Sequence, residues 1–312
     1  MKVSGFSMVK NATKLYFPIK ESIESVLPLC DEFVIAVGDC DEDDRTLEEI
    51  NSIGSEKIKI INTVWDIENF KKGSELARQT NFAKKHCSGD WLIYIQADEV
   101  LHEEDYPAIR NAMEKSHKDE NVEGLVFKYK HFWGDYEHYH TSHGWYKYEI
   151  RIIKNKDDIY SWRDAQTFRR IPNYSDEMLF NNEETLKINV KKIDAYVYHY
   201  GWARPPHLMK NKINEFETIF GNHKRENNYI TDMDFDFGPL NKITKYEGTH
   251  PKIMENWINK FDWGDKLYYD GELRVNRRLF KHERWKYKVV TFFEKYLFGG
   301  KELFGFKNYN EV

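Results

Sequence analysis

The stretch WLIYIQADEVLHEED, residues 91–105, carries an apolar run from Trp91 to Ile95 straight into Gln96-Ala97-Asp98-Glu99. A carboxylate beside buried backbone is costly unless a cation pairs with it. A strand-terminal aspartate facing a crevice suits one job well. It holds a divalent ion, which in turn holds a diphosphate. Mg²⁺ and Mn²⁺ take such hard oxygen ligands and keep positions open for phosphates. Asp39 and Asp66 likewise follow apolar runs. The cluster HYHTSH at 138–143 has no standard zinc-ligand spacing and no accompanying Cys pair or HExxH. A phosphate loop and a GxGxxG are both missing, which disfavours a P-loop or an ordinary dinucleotide fold.

Carboxylates at strand ends need a sheet to hold them. KVSGFSMV reads as a strand, and YFPIKESIESVLPLC as a helix with Ile19, Ile23, Val26 and Leu27 on one face. DEFVIAVG is a continuous apolar strand ended by Gly38, and RTLEEINSIG a helix stopped by Gly54. KIKIINTVW is a third strand. GSELARQTNFAKKHCSG is a helix with Ser74 at its N-cap, and WLIYIQAD is a fourth strand. This alternation predicts a parallel sheet covered by helices on both faces, with ligands at the carboxyl ends of the strands. A helix is expected over 100–115. Strands follow in VEGLVFKYKHFWG and YKYEIRIIKN, then a strand pair in KINVKKIDAYVYHYG. The character changes near residue 203, so the division expected is 1–202 as one α/β domain and 203–312 as a mostly helical extension.

The chain has 312 residues, enough for a large core. Hydrophobic residues make up 40% and the mean hydropathy is -0.77, as in a polar-surfaced protein. The net charge of -5 argues against a general nucleic-acid binder. Three cysteines fit a reducing compartment. The opening MKVSGFSMVKN has no long apolar region, and no run reaches the roughly 18 apolar residues of a spanning helix. A cytoplasmic protein is expected. Its basic, aromatic segment 276–307 can lie on the inner face of an anionic membrane.

Four blocks in order, MVKNA (8–12), DEFVIAVGDCDEDDRT (31–46), KKGSELARQTNFA (71–83) and SGDWLIYIQADEVL (88–101), resemble family 2 glycosyltransferases of the GT-A fold. That fold is a Rossmann-like, mostly parallel sheet with helices on both faces. The resemblance implies an inverting enzyme that moves a sugar from a UDP- or GDP-linked donor to a glycan or lipid-linked acceptor, assisted by Mn²⁺ or Mg²⁺. Surface polysaccharide synthesis is the natural setting. Residues 1–99 would bind the nucleotide and 100–202 the acceptor. The family's acidic motif matches at Asp98, but its first Asp is Gln96 here, which adds no charge. A late histidine, His199 in YVYHYGW, is the expected further metal ligand. Val9, Asn11, Asp39, Arg78 and Asn81 would complete the donor site, Arg78 by pairing with the diphosphate.

The same resemblance calls for a carboxylate that takes the proton of the attacking hydroxyl. Asp164, in SWRDAQTFRR, is the first choice, with Asp135, Glu149 and Asp158 open. Arg163, Arg169 and Arg170 around it should keep it ionised. Trp162 offers a platform for a sugar ring, and Trp145 and Arg151 lie in the same acceptor-side segment. Two rival readings remain. One is a nucleotidyltransferase, although FSMVKNATK lacks that chemistry's glycine-rich loop. The other is a degenerate glycan-binding protein, for which Gln96 would be the mark.

Overall fold

Continuous apolar runs make strands that are covered on both faces, and three of the first four strands follow this rule, the third being a half-buried edge strand. The structure, a computed structural model, describes residues 1–179, 184–220, 234–274, 277–303, 305 and 307–312. It opens with β1 (Val3–Val9), α1 (Ile19–Val26), β2 (Glu32–Val37), α2 (Thr46–Asn51), β3 (Ile58–Asn62), α3 (Ser74–Lys85) and β4 (Trp91–Tyr94). The strands lie parallel in the order β3-β2-β1-β4. Alternate side chains feed two cores. Phe33, Ile35 and Ile93 pack with Ile19, Ile23 and Val26 of α1 on one face. Val34, Ala36 and Leu92 pack with Leu76 and Ala83 of α3 on the other.

The fourth strand stops at Tyr94, short of Asp98. The backbone N–H of Gln96 donates to the Glu99 carboxylate at 3.1 Å, and the Glu99 N–H returns to the Gln96 carbonyl at 3.0 Å. This turn takes the chain out of the ladder and restarts it as β5 (Glu99–Leu101), followed by α4 (Tyr106–His117).

Beyond α4 come β6 (Gly124–Trp133), β7 (His138–His140), β8 (Tyr148–Lys154), β9 (Ile159–Trp162), β10 (Thr167–Arg170), β11 (Leu186–Lys187) and β12 (Asn189–Trp202). β8 joins β4 antiparallel, and β6 and β7 extend the sheet outward. β9, β10 and β11 form a separate small sheet. The strand pair expected before His199 is the single long β12. It runs parallel to β6 and antiparallel to β5, setting His199 opposite Glu99.

The last described parts are α5 (Pro206–Ile219), β13 (Thr244–Lys245), α6 (Glu255–Ile258), α7 (Trp285–Tyr296) and β14 (Asn310–Glu311). Much of the rest is irregular rather than helical. Phe235, Phe237, Met254 and Trp263 share a third core with Phe132 and Trp133 of β6, so this region packs on the sheet instead of building a core of its own.

Candidate functional site

The carboxyl ends of β1, β3 and β4 open on a cavity of about 550 Å³. Val9 and Lys10 after β1, Trp65 after β3, and Gln96 to Asp98 after β4 line one side. Met209, Lys212, Ile213 and Phe216 of α5 line another, and Asp164 and Gln166 from the β9–β10 turn close a third. This is where a parallel sheet places its ligands.

Asp98 is buried at the cavity wall. Its Oδ2 lies 3.1 Å from Lys212 Nζ and 3.6 Å from His199 Nε2. Burial alone would raise the pKa of this carboxyl. The Lys212 ammonium, and then His199, outweigh burial and hold it well below the usual range. Lys212 also donates to the Gly201 carbonyl at 2.9 Å. Burial, with Arg204 nearby, lowers its own pKa to about 8 despite Asp98. Gly201 is required here. A Cβ at this position would come 2.5 Å from Asp98 Oδ2 and 2.7 Å from His199 Nε2.

The tautomer of His199 follows from its neighbour. Burial keeps His131 neutral, and its Nε2 sits 2.8 Å from the Tyr146 carbonyl, which can only accept. His131 Nδ1 is then the acceptor from His199 Nδ1 at 3.0 Å. His199 therefore turns Nε2 toward Asp98, the orientation a metal ligand would take. The set stops there. It offers one carboxylate and one imidazole nitrogen, with an ammonium already on the carboxylate's Oδ2. Gln96 spends its amide N–H groups on the Ala165 carbonyl and the Tyr94 hydroxyl, at 3.3 and 3.4 Å. No group of three His, Cys, Asp or Glu able to hold a metal forms among the described residues. The residues present do not fit a divalent ion.

Asp164 faces the cavity from the β9–β10 turn, where Arg163 and Ala165 both have positive φ. Burial raises its pKa. Of the three arginines expected to hold it down, only Arg163 pulls it that way, and burial outweighs it. Arg163 and Arg169 lie over the Trp162 ring at 4.2 and 4.7 Å, and Arg170 pairs with Glu123 and Asp158. Trp162 is only 2% exposed, so it cannot serve as the expected sugar platform. Among the alternatives for a base, Asp158 is taken by Arg170 and Asp135 by His138. Glu149 is fully enclosed, which raises its pKa to about 8. Only Asp164 of the four lines the cavity.

The other expected site residues divide. Val9, Gln96, Asp98, Arg151 and His199 line the cavity. Arg151 does so while paired bidentately with the buried Glu99. Asp39 stands one step back. It accepts from Lys10 Nζ and from the Trp65 backbone N–H, both at 2.9 Å, and so positions two lining residues. Asn11 accepts from the Asp41 N–H and ties two loops together. Arg78 is bound to Glu75 on its own helix rather than turned to the cavity. Asn81 does not reach the cavity either. Its side-chain N–H donates to the Ser161 carbonyl at 3.0 Å and its oxygen accepts from the Ser161 N–H at 2.7 Å. Trp145 stacks on His140 within an aromatic cluster and does not itself line the cavity, which the cluster meets through Trp202, Tyr146 and His199. His143, in the HYHTSH segment, pairs with Glu294 of α7.

Lys212 is the residue the sequence reading missed. The signal was present. In PPHLMKNKINEFETIF, Met209, Lys212, Ile213 and Phe216 follow helical spacing, so a lysine falls on the apolar face.

Among solved structures, Staphylococcus aureus TarS 1–349 in complex with UDP-GlcNAc is 21% identical over 42% of this chain and 35% of that chain, with a TM-score of 0.29. TarS 1–349 in complex with UDP is 17% identical over 70% of this chain and 64% of that one, with a TM-score of 0.37. Glucosyl-3-phosphoglycerate synthase from Mycobacterium tuberculosis, in complex with Mg²⁺ and UDP, is 17% identical over 41% and 43%, with a TM-score of 0.29. The chain thus spans less than two thirds of each. None of these likenesses bears on the donor, acceptor or metal of this chain. No curated protein matches it in sequence. The family description Glycosyl transferase family 2 matches residues 14–173, just over half of the 312. The chain belongs to glycosyl transferase family 2 and carries its GT-A fold.

Proposed function

We propose that this chain moves a sugar, with inversion, from a UDP- or GDP-linked donor to a glycan or lipid-linked glycan in surface polysaccharide synthesis. Residues 1–202 would form the catalytic domain, and 203–312 an extension whose α5 covers the donor. The observation that carries this reading is that Asp98 and Asp164 face one cavity at the strand ends. Asp98 marks the donor side. Asp164, with its pKa raised by burial, is suited to accept the proton of an attacking hydroxyl. Metal assistance is left out of the proposal because the Lys212 ammonium already sits on Asp98 Oδ2. The test is thermal stabilisation by a panel of nucleotides, since a ligand of the native state raises the unfolding midpoint by mass action. UDP or GDP should raise it and free phosphate should not. If neither nucleotide does, the degenerate glycan-binding reading replaces this one.

A cytoplasmic enzyme resting on the membrane fits the acceptor side of the proposal. Among the described residues no helix is long and apolar enough to cross a membrane. α7 is turned unusually. Glu294 and Thr291 face inward, with Glu294 held by His143 at 2.7 Å and Lys147 at 2.8 Å, and Thr291 accepting from the His143 N–H. Trp285, Val289, Phe292 and Tyr296 are exposed, at spacings of one helical turn. Residues 277–303 hold eight Lys and Arg against three Glu in a chain of net charge -5; residues 276, 304 and 306 of the expected segment lie outside those described. An apolar face with a basic surround matches an anionic membrane. The chain should co-sediment with vesicles containing phosphatidylglycerol and not with phosphatidylcholine alone. The pair Phe292→Asp and Tyr296→Asp should abolish this without moving the unfolding midpoint. Failure to bind, or dimerisation through this face instead, would overturn the membrane assignment.

A further inference from the structure

We infer that the Lys212 ammonium, backed by Arg204, holds the donor diphosphate where a divalent cation would otherwise sit, so that donor binding needs no metal. This rests on the nucleotide-sugar reading above and goes beyond it. Lys212 Nζ makes two hydrogen bonds among the described residues, to Asp98 Oδ2 and the Gly201 carbonyl. An ammonium has three N–H donors. Lys212 lines the cavity, so its third donor is left for a ligand there. The rings of Phe17 and Phe216 lie 5.0 and 5.3 Å from the nitrogen and keep that environment dry.

Arg204 adds an independent observation. It is fully buried and its guanidinium lies 4.9 Å from the Phe17 ring, the ring that Lys212 also packs over. One guanidinium nitrogen donates to the Leu15 carbonyl, while Nε and Nη2 have no hydrogen-bond partner among the described residues. Asp98 therefore carries one negative charge against two buried cations. Gln96, two residues before it, is neutral and corrects nothing. Of the other charged groups at the cavity, Arg151 is paired with Glu99 and Lys10 with Asp39, while the carboxylates of Asp164, Glu215 and Glu217 also line it. A buried cation without a counter-charge is costly. An entering anion relieves that cost at the place where the diphosphate of a donor would lie. A divalent ion in the same place would add repulsion from Lys212.

The deciding experiment is calorimetric titration of the full chain with UDP and GDP, in EDTA and then in Mn²⁺. The expected result is a Kd that agrees within about threefold between the two conditions, since the charge-assisted contact from Lys212 that holds the diphosphate does not involve the metal. Lys212→Met should weaken the diphosphate about 10- to 100-fold, the loss of one charge-assisted hydrogen bond, and leave the parent nucleoside unchanged. A purely structural lysine would weaken both alike. Lys212→Arg keeps the charge, should retain most of the affinity, and covers the case in which the Met variant fails to fold. Binding that appears only with Mn²⁺ overturns the inference and leaves the transferase reading standing. So does a Lys212→Met variant that binds diphosphate normally, or one that loses nucleoside and diphosphate together. If no nucleotide binds in either condition, the transferase reading itself falls, and this inference with it.

Discussion

Asp164→Asn lowers the rate of sugar transfer by about 10²- to 10⁴-fold, the usual contribution of a positioned general base, while nucleotide affinity stays near that of the parent chain. Asn keeps the shape and most of the hydrogen bonding and removes only proton acceptance. The pH profile sharpens the expectation. A base must be deprotonated, so the rate rises with pH through its pKa. Burial raises the pKa of Asp164, which moves the acidic limb upward from that of an unperturbed aspartate. In the variant that limb should disappear, along with most of the rate. Steady-state kinetics across pH, with nucleotide titration alongside, separates this from a folding defect. Affinity lost in proportion to rate would mean that Asp164 holds the donor. An unchanged rate would move the base elsewhere, with Glu149 next although it is fully enclosed.

The parallel half of the sheet was legible because strands buried on both faces read as continuous apolar runs, and helices between them show one apolar face. β2 and α1 are good examples. The end of β4 was misjudged because apolar character continues through Ile95 and Ala97 while the ladder has already ended. What ends it is the Glu99 carboxylate taking the Gln96 N–H, a side-chain contact with no periodic signature. The same limit explains Arg78 and Asn81. Their helical spacing placed them on one face, as expected, but spacing does not say what that face meets. It meets Glu75 on its own helix and the backbone of β9, 80 residues away for Asn81.

Asp98 and His199 show the reverse. They lie 101 positions apart in sequence, and what brings them together is the antiparallel pairing of β5 with β12. A resemblance could suggest the pair. Only the register explains it, and only the fold reveals that α5 returns Lys212 to the same carboxylate. Segment 203–312 was expected as an appendage because its composition changes. Composition reports polarity, not docking. α5 turns its mixed apolar and cationic face onto the strand ends and completes the site.

Arg151→Met is expected to destabilise the fold by about 3–5 kcal/mol, the usual consequence of removing one partner of a buried ion pair, and to lower the unfolding midpoint by roughly 5–10 °C for a chain of this size. Arg151 is 1% exposed and Glu99 0%, and two parallel contacts of 2.8 Å join them. Without the guanidinium, the Glu99 carboxylate keeps, among the described residues, only the Tyr129 hydroxyl at 2.8 Å and the Gln96 N–H at 3.1 Å. Those are too few partners for a buried carboxylate. The double variant Glu99→Leu with Arg151→Met removes both charges together and should recover most of the lost stability, because buried pairs replaced by apolar groups of similar size are often neutral. Nucleotide affinity should not recover with it. Glu99 also fixes the Gln96 turn, and that turn sets Asp98 against Lys212. Stability and binding should therefore separate in the double variant when denaturation and titration are run on the same preparation. A single variant that loses less than about 1 kcal/mol, the range of an exposed pair, would show that water reaches the guanidinium through the cavity.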